Sequence, residues 1–178
     1  MTADLLFWLV ARATGVAAFV ALLVAVTSGI TLRTSVLDRI GPIRAWRELH
    51  SFATILWLPL GALHVLALVL DQTARVDPID LVVPFRMEYG TLAIGLGTIA
   101  LDLVLAVAIT APLRRRVPMG LWTAVHRLAY PAMALSFLHA LLAGSDFSVP
   151  EVSAVLWSLA AAAAVLAGAR VVWGRLPA

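Results

Sequence analysis

The sequence predicts an all-α integral membrane protein, a bundle of five transmembrane helices, and three observations carry that reading. Hydrophobic residues make up 62% of the 178 and charged residues only 13%, far from the balance of a soluble domain. The apolar residues gather into five runs, each reaching the roughly 20 residues that a helix needs to cross a hydrocarbon core of about 30 Å. Most of the remaining charges fall between the runs, in short connections.

The first run, 5–32, lacks a basic leader and is too long for the apolar stretch of a signal peptide, so it reads as a retained span with one internal charge, Arg12. The second, 43–70, is free of charge from Ser51 to Leu70. The third, 90–111, contains Asp102; the fourth, 119–143, contains Arg127; the fifth, 152–172, has nothing ionisable before Arg170. Gly29, Pro59, Gly95, Gly97 and Pro131 lie inside these runs and do not break them, because neighbouring helices re-satisfy backbone groups that such residues free. Between the second and third runs, 75–89, with Pro78 and Pro84, reads as a loop along the membrane interface.

Arginine placement orients the bundle. Arg33, Arg39, Arg44 and Arg47 join spans one and two, Arg114, Arg115 and Arg116 join three and four, and Arg170 and Arg175 close the tail; the other side has only Arg75 and Arg86. The positive-inside rule then puts the N-terminus outside and the C-terminus in the cytoplasm, in a multi-pass protein of the cell membrane, read as a bacterial inner membrane. A net charge of +3 spread over loops is no nucleic-acid surface. The absence of cysteine excludes thiolate-bound iron–sulfur clusters, a covalently attached c-type haem, disulfides and thiol nucleophiles.

The chain has four histidines, and all fall inside the apolar runs: His50 and His64, 14 residues apart in span two, and His126 and His139, 13 apart in span four. Ionisable groups in a bilayer are costly and mark function by default. Spans two and four run in the same direction, so His50 and His126 share one depth, His64 and His139 another, and the two levels are roughly 20 Å apart at about 1.5 Å per residue. The spacing predicts two stacked b-type haems. The inner iron would take His50 and His126 and the outer iron His64 and His139, since neutral imidazoles supply strong axial ligands without bringing charge into the lipid. A single zinc or di-metal centre is excluded, because ligands spread over roughly 20 Å cannot meet at one ion. A lone membrane histidine is often only a hydrogen-bonding group between helices, and that reading competes at each position taken singly.

Helical phase fits the first pair better than the second. Fourteen residues return within about 40° of one face, whereas 13 miss by about 140°; a kink or local rewinding at Pro131 would restore the second pair. A short internal repeat supports the layout: Trp46 precedes His50 and Trp122 precedes His126 by four residues, Ile30-Thr31 and Ile109-Thr110 close the preceding spans, and Leu63-His64 matches Leu138-His139. One helical hairpin would thus occur twice in the same orientation.

The segments AWRELHSFATILWLPLGALH and LWTAVHRLAYPAMALSFLH, with TLAIGLGTIALDLVLAVAITAPLRRR between them, resemble the ferric reductase-like transmembrane domain. That superfamily includes the membrane parts of NADPH oxidases and ferric reductases and the MsrQ (YedZ)-like haem-binding subunits. The resemblance runs from about Phe7 to Asp146. It implies a haem-binding domain in which His50, His64, His126 and His139 ligate two b-type haems; against the family's pattern, a single domain over 1–178 without a flavin or NAD(P)H domain is expected, with five spans where many relatives have six. It also implies an electron-transfer component of an oxidoreductase system, set in membrane lipid. A flavoprotein or quinol would be its donor, and ferric iron, an extracytoplasmic flavoprotein or a reductase subunit its acceptor; FMN or quinone would come from a partner.

Charge supplies further candidates. Haem propionates favour arginine partners. Arg12 is placed for the outer haem, and Arg47, with Arg44 beside it, for the inner one, where ordinary positive-inside anchoring competes. Asp102 and Arg127 are expected at comparable depth, either neutralising each other or with Asp102 accepting the free ring N–H of His126. Trp57 and Phe137 lie between the two levels, as packing or on the electron path. Two readings from other classes stay open: a proton or solute transporter or channel using the histidines, Asp102 and Arg127, and a non-redox anchor subunit whose histidines only pack.

Overall fold

The computed structural model describes residues 3–34 and 40–173; Arg39 and Arg175 lie outside them. Six α-helices follow in order: α1 (Ala3–Thr31), α2 (Ile43–Leu70), α3 (Thr91–Thr110), α4 (Met119–His126), α5 (Ala129–Ala143) and α6 (Pro150–Trp173). Four stretches are long and apolar enough to cross a membrane, namely α1, α2, α3 with its 3-10 extension to Arg115, and α6. The fourth predicted run is a fifth helical span broken into α4 and α5. The predicted ends agree with the observed ones within two residues, and the break corrects the reading of 119–143 as one helix.

α1 is the centre of the bundle. Phe19, Leu22, Leu23, Val26 and Ile30 on α1 pack with Val104 of α3, Ala132, Met133 and Phe137 of α5, Phe147, and Leu156 of α6. The hydroxyls of Thr14, Thr27, Ser28 and Thr31 bond back to carbonyls three or four residues earlier, which lets polar side chains sit in an apolar helix without unpaired donors. α2 starts after Pro42 and runs unbroken through Pro59; its buried residues are small, Ala53, Gly61 and Ala67, so its backbone approaches α1 closely. Most of its large side chains, Phe52, Ile55, Leu58 and Leu66 among them, stay exposed for lipid.

α3 begins at Gly90, whose φ of 61° suits glycine, and tightens after Thr110 into a 3-10 stretch containing Pro112. The connection before it folds back on α3. Arg86 donates to Asp80 at 3.0 Å, Asp80 accepts the Asp77 N–H, and the Asp80 carbonyl accepts the Thr98 hydroxyl. Phe85 of this loop lies directly over Gly95.

The break between α4 and α5 has a local cause. Proline has no N–H, so Pro131 cannot donate to the Arg127 carbonyl one helical turn before it. The chain closes that turn with tighter bonds instead, Leu128 N–H to Val125 O and Tyr130 N–H to Arg127 O, and the α pattern resumes with Ala132 N–H to Leu128 O.

The result is two helical hairpins packed through α1. In the first, α2 lies on α1; in the second, α5 lies on α3; α1 also meets α5, and α6 closes the far side of α1.

Candidate functional site

The two hairpins bring their histidines together in pairs. The His50 and His126 ring centroids are 6.2 Å apart at an interplanar angle of 73°, and those of His64 and His139 are 6.5 Å apart at 74°. A single metal ion held between two imidazoles needs two bonds of about 2.1 Å plus the ring radii, which together span about 6 Å. Both pairs have that separation. Direct edge contact between aromatic rings also falls in this range, so distance alone does not choose; the ring nitrogens do.

Three of the four rings are held by main-chain carbonyls. His50 Nδ1 lies 2.7 Å from the Ala25 carbonyl oxygen, His64 Nδ1 2.7 Å from that of Ala11, and His139 Nδ1 2.8 Å from that of Ala93. A carbonyl only accepts, so in each ring Nδ1 carries the proton and Nε2 keeps a lone pair. This is the arrangement in which the ring N–H of a metal-ligating histidine is anchored to orient the ligand and raise its basicity.

Each carbonyl is followed four residues later by glycine, one helical turn on: Ala11 with Gly15, Ala25 with Gly29, Ala93 with Gly97. The histidine ring fills the space of the missing side chain. A Cβ at Gly15 would come within 2.8 Å of His64 Nδ1, one at Gly97 within 2.7 Å of His139 Nδ1, and one at Gly29 within 3.2 Å of His50 Cε1. These seats went unnoticed in the sequence reading. Their signal was present all the same: Ala-x-x-x-Gly occurs twice in α1 at a spacing of 14, the spacing of His50 and His64, and α1 and α2 run antiparallel.

His126 is different. Its Nδ1 is buried and has no hydrogen-bond partner among the described residues, and the ring stacks instead on Trp122, with centroids 4.7 Å apart and planes 12° from parallel. Arg114 lies over the Trp122 ring at 5.0 Å. The indole N–H groups of Trp46 and Trp122 are also buried without partners among the described residues. All three unmet nitrogens lie at the His50–His126 end of the bundle.

The donor set suits one kind of group. Among the described residues there is no cluster of three or more His, Asp or Glu side chains able to hold a metal ion. Two imidazoles per level are too few for an ion ligated by protein alone, and they suit an iron whose other ligands arrive with a macrocycle. The buried indole N–H groups of Trp46 and Trp122, both at one end, fit the anionic edge of such a group.

The charged candidates divide. Arg12 forms an ion pair with Asp146, through both Nε and a terminal nitrogen, and its guanidinium lies 4.1 Å from the Trp8 ring centroid. It thus ties α1 to the connection before α6, a partner 134 residues away that helical depth could not reveal. Arg47 is exposed, while its neighbour Arg44 pairs with Glu48. The arginine at the His126 end is Arg114, which lies over the Trp122 ring. Asp102 neither pairs with Arg127 nor accepts from His126 among the described residues. The reason is azimuth: Asp102 is nine residues beyond Ala93, about 180° around α3 from the face that seats His139. Arg127 sits in the break with its side chain exposed. Asp102→Asn is therefore expected to leave the ultraviolet–visible spectrum and the midpoint potentials of a haem-loaded preparation unchanged. Phe137 packs against Phe19 and Trp157 on the side of α1 and α6, and Trp57 lies partly buried against the same cluster.

Residues 14–137 match the family described as ferric reductase like transmembrane component. The chain belongs to that family. The matched ferric reductase-like segment takes in most of both hairpins, the three carbonyl–glycine seats apart from Ala11, and His50, His64 and His126; it ends just before His139. No curated protein and no solved structure gives a significant match. Membership makes the chain a multi-pass membrane component of oxidoreductase type.

Proposed function

We propose that this ferric reductase-like chain is a membrane cytochrome that carries electrons across the bilayer through two b-type haems, one held by His50 and His126 and the other by His64 and His139. Haem, when bound, supplies a one-electron iron couple. The observation that carries the reading is the pairing of the rings at 6.2 and 6.5 Å with the Nδ1 of three of them committed to backbone carbonyls, which leaves Nε2 free to ligate. Two imidazoles per level would hold the iron, a donor set that favours electron transfer over oxygen chemistry at the metal. The histidine levels lie on α2 and on α4 and α5, so helical rise separates them by roughly 20 Å along the membrane normal.

The chain's own residues supply ligands, orientation and insulation. α1 and α3 fix the ring planes through carbonyls and glycines, and the apolar faces of α1, α3 and α5 keep water from the space between the hairpins. Arginine counts favour a cytoplasmic location for the His50–His126 end in a bacterial plasma membrane. Electrons would then enter from a cytoplasmic or membrane donor, a flavoprotein or quinol with FMN or quinone as its cofactor. They would leave to an acceptor outside, such as ferric iron, an extracytoplasmic flavoprotein or a reductase subunit. A proton relay through Asp102 and Arg127 has no support, because Asp102 lies on the far side of α3.

Purified protein tests this directly. A dithionite-reduced spectrum is expected to show a b-type alpha band, and pyridine haemochrome quantitation is expected to give two haems per chain. A preparation without the band rejects the cytochrome; one haem per chain rejects the stacked pair.

A further inference from the structure

The hairpins repeat, but their seats do not. Counting 14 residues on from Ala93 and Gly97, as α1 does from Ala11 and Gly15, the fourth seat falls at Val107 and Ala111. There a methyl stands where the other seats have glycine. The helix also ends at this point: Ala111 opens the 3-10 stretch, and the Val107 carbonyl takes the Ala111 N–H and the Thr110 hydroxyl. His126, which would have used that seat, keeps a buried Nδ1 without an acceptor.

Something else must hold the ring. Trp122 is four residues before His126, one turn down the short α4, and its indole lies nearly parallel to the imidazole. Arg114 comes from the 3-10 stretch at the end of α3 and covers the Trp122 ring, as a guanidinium does on an indole face. α4 is only eight residues long and ends at the break, so without that stack His126 would be fixed at one end only.

We propose that the Arg114–Trp122 stack is the positioning device of His126, and that it makes the iron of the His50–His126 level easier to reduce than the iron of the His64–His139 level. The inference rests on the two-haem reading above. Two physical effects have the same sign. An imidazole that donates its N–H to a carbonyl is the more basic ligand and stabilises the oxidised metal; the outer level has two such ligands, the inner level only His50. A nearby cation stabilises the added electron. Arg114, lying over the Trp122 ring that stacks on His126, puts a cation at the inner level, whereas at the outer level the charge of Arg12 is neutralised by Asp146. Arg114 and Trp122 are positioning residues, not ligands; they act through His126.

Potentiometric titration of the haem-loaded protein tests this, with the levels assigned by His64→Ala or His139→Ala, either of which leaves only the inner pair intact. The inner haem is expected to titrate at the higher potential. Arg114→Gln is expected to lower its reduced-to-oxidised ratio at fixed potential by about 3- to 10-fold while the outer haem stays put. Trp122→Leu is expected to broaden or move the low-spin electron paramagnetic resonance of the inner haem alone, and Trp122→Phe, which keeps a stacking face, to restore it. An inner haem at the lower potential, an inner midpoint indifferent to Arg114→Gln, or a Trp122→Leu protein with wild-type resonances each overturns the proposal. A wild-type protein without two b-type haems overturns the two-haem reading instead, which separates the two failures.

Discussion

Gly97→Ala is expected to strip the outer haem of the proposed pair and leave the inner one in place, and Gly15→Ala to do the same from the opposite hairpin. A Cβ at Gly97 would stand 2.7 Å from His139 Nδ1, 2.9 Å from Cε1 and 3.0 Å from Cγ, so the methyl confronts the whole near edge of the ring. At Gly15 the approaches to His64 are 2.8 Å to Nδ1 and 2.9 Å to Cε1. Neither backbone can retreat, because α1 and α3 are continuous helices packed into the core. The ring must turn, and turning breaks the bond from Nδ1 to the Ala93 or Ala11 carbonyl and swings Nε2 off the ligation axis. Leaving a buried donor unmet costs about 1–3 kcal/mol, which corresponds to a roughly 10- to 100-fold loss of affinity at that level. Haem quantitation should fall from two per chain toward one, with the remaining spectrum that of the inner haem.

The same comparison supplies its own controls. Gly29→Ala brings a Cβ only to 3.2 Å from His50 Cε1, which a shift of a few tenths of an ångström relieves, so the inner haem is expected to remain with a displaced alpha band. Gly95→Ala, two residues from Gly97, collides with Phe85 and not with a histidine. Phe85 belongs to a loop and is 47% exposed, free to swing outward, so both haems should stay. Loss of the outer haem in Gly95→Ala, or its full retention in Gly97→Ala, would show that general crowding of α3 and not the histidine seat decides haem binding.

How far the sequence could be read follows from what a lipid-facing helix encodes. Depth is legible, because rise per residue is fixed and apolar runs have ends: the helix boundaries came out within two residues, and the grouping of His50 with His126 and His64 with His139 rests on depth alone. Azimuth is not. α1, α3 and α6 are apolar all round, lacking the one-sided stripe that tells which way a lone polar residue faces in a soluble helix. Asp102, expected from its depth beside Arg127 or His126, meets neither among the described residues. Depth and charge point Arg12 to a propionate of the outer haem; in the structure it pairs instead with Asp146, brought there by the docking of the segment before α6 onto α1. The carbonyl seats were readable in principle as a small-residue repeat in step with the histidines. The first-helix part of the internal repeat shifts accordingly: the seats relate Ala11 to Ala93 and Gly15 to Gly97, which aligns Ile30 with Pro112 and not with Ile109.

Pro131→Ala should stabilise the apoprotein and cost it the inner haem. With alanine the residue at 131 regains an N–H that can bond the Arg127 carbonyl, and the 3-10 bonds at Leu128 and Tyr130 lose their advantage over a regular helix. Removing proline from a helix interior is worth up to about 3 kcal/mol, less in a membrane span where the freed carbonyl has other partners, so a gain of about 1–3 kcal/mol is expected in thermal unfolding of haem-free protein. The rewound span then imposes ordinary helical phase on 13 residues, and His126 and His139 come to point about 140° apart. His139 is anchored to Ala93 and to the body of α5, which packs on α3, so it keeps its place. His126 has no carbonyl and belongs to an eight-residue helix, so it is the one that turns away. Haem analysis of Pro131→Ala should therefore show the outer haem retained and the inner one lost or reduced to a single histidine ligand, visible as a high-spin signal. Retention of both low-spin haems would mean that the stack on Trp122, and not the missing N–H, holds the break open.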